Sequence, residues 1–163
     1  MTVKPTPSFV FSMDKLTNQA SAYNFISLFN PVGSGKLFLL GGIFISSTLL
    51  TSSSITDSMR GWRTTAASGG TLQADSVVTK AQAQFPDPAA EVRTGNPTVT
   101  LTTAFFNSPA PITDKAAPVH IVTVPPGTAP FSVTAGTGIV LRTEFGIGVG
   151  ATWNLSIAWA EIG

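Results

Sequence analysis

Residues that could support catalysis or hold a metal ion are few in this chain and lie far apart. His120 is the single histidine, and the chain has no cysteine. A zinc site would therefore need three carboxylates around His120, although zinc in proteins usually takes histidine and thiolate ligands. No serine lies in the Gly-x-Ser-x-Gly context of a nucleophile elbow. We predict neither a catalytic histidine nor a bound metal or cofactor, and we interpret His120 as a packed or surface residue.

The eight acidic residues are also dispersed. A calcium-binding loop would place an acid at every second position, and no segment of the chain does so. Asp75, Asp87 and Glu91 share the segment 66–97, so a metal site there is the alternative to solvated loop charges, which we favour. No spacing indicates the facing carboxylate pair of a glycosidase. The sequence therefore favours a protein that is not an enzyme.

The segment Asn30–Leu37 has some features of a phosphate-binding loop, since it contains a Gly-Ser-Gly-Lys run. That motif needs glycine at its first position and a serine or threonine after the lysine to bind magnesium. Asn30 and Leu37 occupy these two positions, and the apolar residues that follow are typical of a strand rather than a helix. We interpret the segment as a tight connection between two strands.

Arg60, Trp62 and Arg63 place cations beside an aromatic ring, a combination that can bind single-stranded nucleic acid or a sugar. The chain has a net charge of only +1 and no basic run, so we expect neither nucleic acid nor membrane as a partner. In a strand from Met59 to Thr65, Arg60 and Trp62 would share one face and Arg63 the other. We favour Trp62 in the core and the arginines at an edge or interface, and we keep all three as partner-binding candidates.

Charged residues number only 17 of 163, whereas 38 residues are serine or threonine. A free-standing domain usually carries about 25% charged residues. Threonine suits strands because its branched side chain packs well on a pleated surface. A surface of small hydroxyls also costs little to desolvate against another protein, since no ion loses its water. The composition therefore predicts a β-protein whose surface is largely used in contacts with other subunits.

Short alternating or apolar segments separated by glycine- and proline-rich turns predict an all-β fold: a single β-sandwich, jelly-roll-like, formed by residues 21–163. The clearest strand is the last one, in which Trp153, Leu155, Ile157 and Trp159 would share the buried face. The longest apolar stretch, 37–50, is shorter than the roughly 20 residues of a membrane-spanning helix. Residues 66–97 are predicted as a long surface excursion whose one possible helix is 76–84. Gly41-Gly42 indicates a bulge.

Residues 1–20 are predicted to form an extended N-terminal arm. Pro5 and Pro7 disfavour a regular element at the start, and Phe9, Phe11 and Met13 then alternate with small or polar residues. Two interpretations are open. The segment is either the first strand of the domain's own sheet or an arm laid on a neighbouring subunit, in which case the three apolar side chains bind that partner.

Two segments resemble small β-rich virion proteins of tailed phages. One is Ser27–Lys36, which runs into an apolar strand; the other is Pro125-Pro126-Gly127 together with Ala135–Arg142 and a tryptophan-containing last strand that ends in Trp159-Ala160-Glu161-Ile162. The resemblance covers about a quarter of the chain. It implies a β-sandwich or jelly-roll unit on the virion, often trimeric, and it transfers no catalytic residue.

The composition and the resemblance together lead to one functional hypothesis. We expect a capsid decoration (cement) protein, made in the host cytoplasm, that binds the outside of the assembled head through the major capsid protein and forms a homotrimer. The alternative is a tail, baseplate or fibre component that binds the host surface. In either case the protein would act by binding alone, without cofactors.

Overall fold

The computed structural model describes residues 6, 8–17, 21–49, 59–107, 119–123, 131–145 and 151–163. The described residues form twelve strands and one 3-10 helix, Asp75–Val77. The strands are β1 (Ser8–Thr17), β2 (Ser21–Asn30), β3 (Leu37–Leu49), β4 (Met59–Ser68), β5 (Thr71–Leu72), β6 (Thr79–Lys80), β7 (Glu91–Thr94), β8 (Thr98–Asn107), β9 (Val119–Thr123), β10 (Ser132–Val133), β11 (Thr137–Phe145) and β12 (Ala151–Ile162). Within these ranges, no helix is long and apolar enough to cross a membrane.

These strands form two antiparallel sheets of six strands each. Sheet A has the order β10-β3-β12-β1-β6, with β9 also paired to β3, and sheet B has the order β5-β7-β2-β11-β4-β8. The first four strands therefore alternate between the sheets, whereas β4 and β8 pair within sheet B. The all-β sandwich predicted from the sequence is confirmed.

One hydrophobic core lies between the two sheets, because alternate residues of each strand point inward. In β12 the predicted alternation is confirmed for Leu155, Ile157 and Trp159, which are buried; the side chain of Trp153 lies outside the described residues. Sheet A also contributes Phe9, Phe38 and Ile43, and sheet B contributes Phe25, Ile26, Leu28, Ile139 and Leu141.

Residues 8–17 form a strand of the domain's own sheet, which confirms the first of the two interpretations and makes the extended arm wrong for these residues. Strand β1 pairs with β12 along most of its length and with β6 on its other side. Phe9 and Phe11 are 1% and 4% exposed, and the Phe9 and Trp159 rings lie 5.6 Å apart. Burying each phenylalanine in the core of its own domain stabilises the chain by about 1.5–3 kcal/mol, which explains why β1 pairs within this domain and not with a neighbouring subunit. Residues 1–5, 7 and 18–20 of the predicted arm lie outside the described residues.

The segment 66–97 is not the single surface excursion predicted from the sequence. It begins in β4, adds β5 at the edge of sheet B, crosses to add β6 at the edge of sheet A, and returns to sheet B as β7, between β5 and β2. It also contributes buried apolar side chains to the core, namely Val78, Phe85, Ala90 and Val92. The predicted helix over 76–84 is absent, since the segment holds only the 3-10 turn Asp75–Val77. The segment therefore links the two sheets along one side of the sandwich.

A buried carboxylate fixes this segment to the last strand. Glu161 is 5% exposed, and its side chain accepts hydrogen bonds from the backbone N–H groups of Ala89 and Ala90 at 3.0–3.2 Å. The Trp159 indole N–H donates to the same carboxylate at 3.1 Å. Because a buried charge is costly unless it is hydrogen-bonded, these three donors explain how Glu161 is tolerated between β12 and the segment before β7.

The glycine-rich connection 31–36 is held by the side chain of Asn30. The Asn30 side-chain amide donates to the carbonyls of Lys36 and Val133 at 2.9 and 3.0 Å, and its oxygen accepts from Ser34. Strand β3 follows at once, as the sequence predicted. The connection therefore carries the chain from one sheet to the other.

Two glycines of the strands differ in how closely their neighbours approach. At Gly41 the pairing of β3 with β12 shifts register, which confirms the predicted bulge, and an added methyl group would lie 3.5 Å from the Ala158 carbonyl oxygen. At Gly138 in β11, an added methyl group would lie 2.7 Å from the Leu28 carbonyl oxygen and 2.9 Å from the Thr64 hydroxyl. Gly138 is therefore required by close packing, whereas Gly41 is not.

We expect Gly138→Ala to lower the free energy of unfolding by about 1–3 kcal/mol, because the new methyl group meets the Leu28 backbone carbonyl oxygen, which cannot move aside. Gly41→Ala is the matched control and should stay within about 0.5 kcal/mol of the parent protein. Urea unfolding followed by tryptophan fluorescence measures both. Equal midpoints for the two variants would contradict the packing argument.

Candidate functional site

Strand alternation determines which side chains of sheet A leave the sandwich. The neighbours of Leu155, Ile157 and Trp159 in β12 point away from the core, and the register aligns them with outward positions of β1 and β3. We call this surface the sheet A outer face; it comprises Val10, Ser12, Phe44, Ser46, Asn154, Ser156, Ala158 and Ala160.

None of the eight residues of the sheet A outer face carries a charge. Val10 and Phe44 are 36% and 40% exposed, which is high for apolar side chains of this size. The hydroxyls of Ser12 and Ser156 bond to each other across the strands at 2.8 Å, so part of the polar capacity is already satisfied within the sheet. Asp14 follows on β1 beyond a register irregularity and is exposed. A protein surface can cover this face without removing water from an ion.

The outward side of sheet B has a different chemistry. Arg142 in the central strand β11 lies directly opposite Arg60 of β4, and Val140 lies opposite Trp62. Glu144 lies two positions beyond Arg142 on β11 and so shares its face. We call Arg60, Trp62, Arg142 and Glu144 the arginine cluster.

Within the arginine cluster, Glu144 is shared between two partners. One carboxylate oxygen accepts from the Trp62 indole N–H at 3.0 Å, and the other lies 3.4 Å from an Arg142 terminal nitrogen. The described residues provide no ion pair for Arg60. Two guanidinium groups therefore face one carboxylate, and the cluster has a local charge of +1.

The structure separates Arg63 from its two neighbours in sequence. As predicted, Arg60 and Trp62 share one face of β4 and Arg63 lies on the other, at the register position opposite the buried Ile139. The Arg63 guanidinium lies 3.9 Å above the Phe131 ring and donates to the Ser132 carbonyl at 3.2 Å. Arg63 therefore stabilises the segment before β11, and its contact with a partner stays a prediction.

Trp62 is not in the core, so that part of the prediction is wrong. Its strand position opposite Val140 places it on the outward side of sheet B, where it is half-buried and bonded to Glu144. Val140, its register partner on β11, is buried although it lies on the same outward side. A large aromatic side chain is favourable beside it because it covers apolar surface. Arg60 is also half-buried on the outward side, as an interface residue would be.

The three apolar residues predicted to bind a partner through the arm do not form such a site. Phe9 and Phe11 are buried in the core, and Met13 is half-buried and packs against the core. They cannot reach a partner unless β1 leaves sheet A. The exposed residue of this strand is instead Val10, which sequence analysis passed over because it lies between the two phenylalanines.

Four contact candidates were missed from the sequence: Val10, Phe44, Arg142 and Glu144. Phe44 belongs to a run that is apolar on both faces, so periodicity did not show which face is exposed. Arg142 and Glu144 alternate with Thr143, which was a usable signal for one outward face. Their proximity to Arg60 and Trp62 follows only from the pairing of β4 with β11.

The described acids do not assemble into a metal site. Among these residues, no three His, Cys, Asp or Glu side chains form a group that could hold a metal ion. Asp87 accepts from Lys80 at 2.6 Å and Glu91 pairs with Arg93 at 3.0 Å, so two of the three acids of the 66–97 segment lie against cations. His120 lies opposite Ile45 in the pairing of β9 with β3, and its side chain is outside the described residues.

Comparisons with known proteins do not identify a relative: no protein-family model, curated protein or solved structure matches the chain. The two outward surfaces and their chemistry are therefore the features that bear on function.

We expect Arg63→Ala to lower the free energy of unfolding by about 1–3 kcal/mol, since it removes the contact with the Phe131 ring and a hydrogen bond. Arg93→Ala removes a partly exposed ion pair with Glu91 and an exposed hydrogen bond to the Gly69 carbonyl, and should cost no more than about 1 kcal/mol. Urea unfolding measures both variants. An Arg63→Ala protein as stable as the parent would show that this arginine has no structural role.

Proposed function

We propose that the protein is a non-catalytic structural subunit of a tailed-phage virion: a capsid decoration protein that binds the outside of the assembled head as a homotrimer and stabilises it. The sequence resemblance supports a role in the virion and a trimeric state. The observation that carries the binding role is the uncharged sheet A outer face, with Val10 and Phe44 exposed on it.

The sheet A outer face has the properties of a surface between copies of the same chain. Interfaces in permanent homo-oligomers are more apolar than the rest of the surface and are depleted of charged residues at their centre. None of the eight residues of this face is charged and four are apolar, and all except Phe44 have short side chains that lose little conformational freedom on contact. We therefore assign the contacts between protomers to this face.

The strand order supports a finer description of the fold, and we infer that the eight principal strands form a jelly roll. In sheet A they follow the order β1-β12-β3-β9, and in sheet B the order β2-β11-β4-β8. Early strands thus pair with late ones in both sheets, as in two nested Greek keys. Viral capsid domains, lectins and cupins share this architecture, so the fold agrees with the proposal but does not select it.

A trimer bound to a head lattice would act through repeated weak contacts. Each protomer adds its own contact, and once one is bound the others become effectively intramolecular. Binding then holds neighbouring shell subunits together and raises the stability of the head by mass action. No reaction and no cofactor enter this mechanism.

Co-sedimentation tests the proposal most simply. The purified protein is mixed with assembled heads and, separately, with tails from the same source, and the bound fraction is measured against concentration. We expect saturable binding to heads at a copy number that matches the shell lattice. Binding to tails alone would overturn the head assignment in favour of the tail, baseplate or fibre component, and binding to neither would overturn the virion role.

A charge placed on the sheet A outer face tests how the trimer forms. Phe44→Glu would bury an unpaired carboxylate between protomers, at a cost of about 3–5 kcal/mol. We expect this variant to sediment as a monomer at concentrations where the parent protein is a trimer. Its far-ultraviolet circular dichroism should be unchanged, because Phe44 points out of the sandwich.

The matched control is Val32→Glu, which introduces the same charge at an 85% exposed position in the connection between β2 and β3. This variant should remain a trimer. A Phe44→Glu protein that also remains a trimer, or a parent protein that is monomeric, would contradict the assigned interface.

A further inference from the structure

The arginine cluster contains two like charges that face each other across paired strands. Arg60 and Arg142 are direct partners in the register of β4 with β11. Side chains at such positions have Cβ atoms about 4.5–5.5 Å apart, and like charges there are unfavourable. A fold that keeps this pair must offset the repulsion with negative charge.

Glu144 offsets the repulsion only in part. Its contact with Arg142 is 3.4 Å long, compared with about 2.7–2.9 Å for a strong charge-assisted hydrogen bond, and its other oxygen is taken by Trp62. Arg60 has no carboxylate partner among the described residues. Among the described residues, one guanidinium therefore has no counter-charge, on a surface where the Arg142 side chain is only 15% exposed.

The two arginines also have unused hydrogen-bond capacity. The Nε atoms of Arg60 and Arg142 are both buried and have no acceptor, and the side-chain oxygen of Asn24, the register partner of Arg142 on β2, has no donor. Three unsatisfied polar groups thus occupy one row across β2, β11 and β4. Leaving a buried donor unpaired costs about 1–3 kcal/mol, so an acceptor that reaches the two Nε–H groups would bind favourably, whereas the Asn24 oxygen, itself an acceptor, would gain nothing.

The surroundings of Arg60 indicate which kind of molecule supplies the hydrogen-bond acceptor. An open depression next to its side chain is lined by Ala104, Phe105 and Phe106 of β8. A free inorganic anion would leave this apolar lining uncovered, whereas a peptide with an acidic residue beside an apolar one would use both. Guanidinium groups favour carboxylates because two parallel N–H donors match the two oxygens.

We propose that the arginine cluster is a carboxylate-binding site that takes an acidic side chain of another protein, with the neighbouring apolar side chain of that protein in the depression of Ala104, Phe105 and Phe106. Arg60 is the main contact and Arg142 the second. The identification of this other protein as a subunit of the virion shell rests on the proposed function. The carboxylate-binding chemistry of the site does not depend on it.

The chain has only four arginines, which makes a direct test possible. Selective ¹⁵N labelling of arginine gives one Nε–H signal for each, and Arg63 and Arg93 serve as internal controls because they are held by Phe131 and Glu91. The probe is a blocked peptide of alternating glutamate and leucine, four residues long, titrated at constant ionic strength. Its matched control has glutamine in place of glutamate, and inorganic phosphate is titrated separately.

We expect the acidic peptide to shift the Arg60 and Arg142 signals saturably and to leave the Arg63 and Arg93 signals in place. The glutamine peptide should cause no shift. Arg60→Gln should weaken binding of the acidic peptide at least fivefold, whereas Arg93→Gln should not change it. The melting temperature of Arg60→Gln should equal or exceed that of the parent, since the variant removes a like-charge contact.

Three results would overturn the proposal: no shift with the acidic peptide, equal shifts of all four arginines, or phosphate binding as tight as peptide binding, which would indicate a general anion site. The test uses no virion, so its failure would leave the decoration role standing. Conversely, if the protein fails to co-sediment with virion parts but still binds the acidic peptide, the carboxylate-binding site stands and only the identification of its partner as a shell subunit is overturned.

Discussion

The fold depends on the position of its last strand between its first and third. Strand β12 pairs with β1 on one side and with β3 on the other, and its inward residues include the buried Trp159. The same strand carries Glu161, which holds the backbone at Ala89 and Ala90 and so fixes the segment that joins the two sheets. Without β12, sheet A would lose its centre and the core would lose one wall.

This central position also determines the chemistry of the outward surface. The alternation that buries Ile157 and Trp159 places Ser156, Ala158 and Ala160 outside, and β1 and β3 add Val10 and Phe44 beside them. In sheet B the same alternation brings out Arg60 and Arg142. One sandwich therefore presents an uncharged face and a charged face, which suits contacts with two different kinds of surface.

The sequence predicted the features that depend on local pattern. The period of two in β12 was evident because one face is buried, and Gly41-Gly42 indicated the bulge because glycine tolerates an irregular ladder. It left open whether 8–17 belongs to the domain's own sheet or lies on a neighbouring subunit. That outcome depends on pairing with β12, as in the bond between Ser12 and Ser156, 144 positions apart, and such register is decided by tertiary packing.

The candidate site was predictable only in part for the same reason. Arg60 and Trp62 were found as local neighbours, whereas Glu144, 82 positions from Trp62, joins them through the pairing of β11 with β4. The core residues Val78 and Phe85 were hidden among turn-forming residues, so the 66–97 segment was assigned to the surface. Local composition cannot show that a short segment fills the side of a sandwich.

The central claim is that the sheet A outer face is buried between copies of the chain. Carbene footprinting with mass spectrometry tests it directly, by comparing the labelling of Phe44 in the assembled protein with that in protein diluted until it dissociates. The account predicts strong protection of Phe44 on assembly and equal labelling of Val32 in both states. Labelling of Phe44 that does not change on assembly would contradict the account.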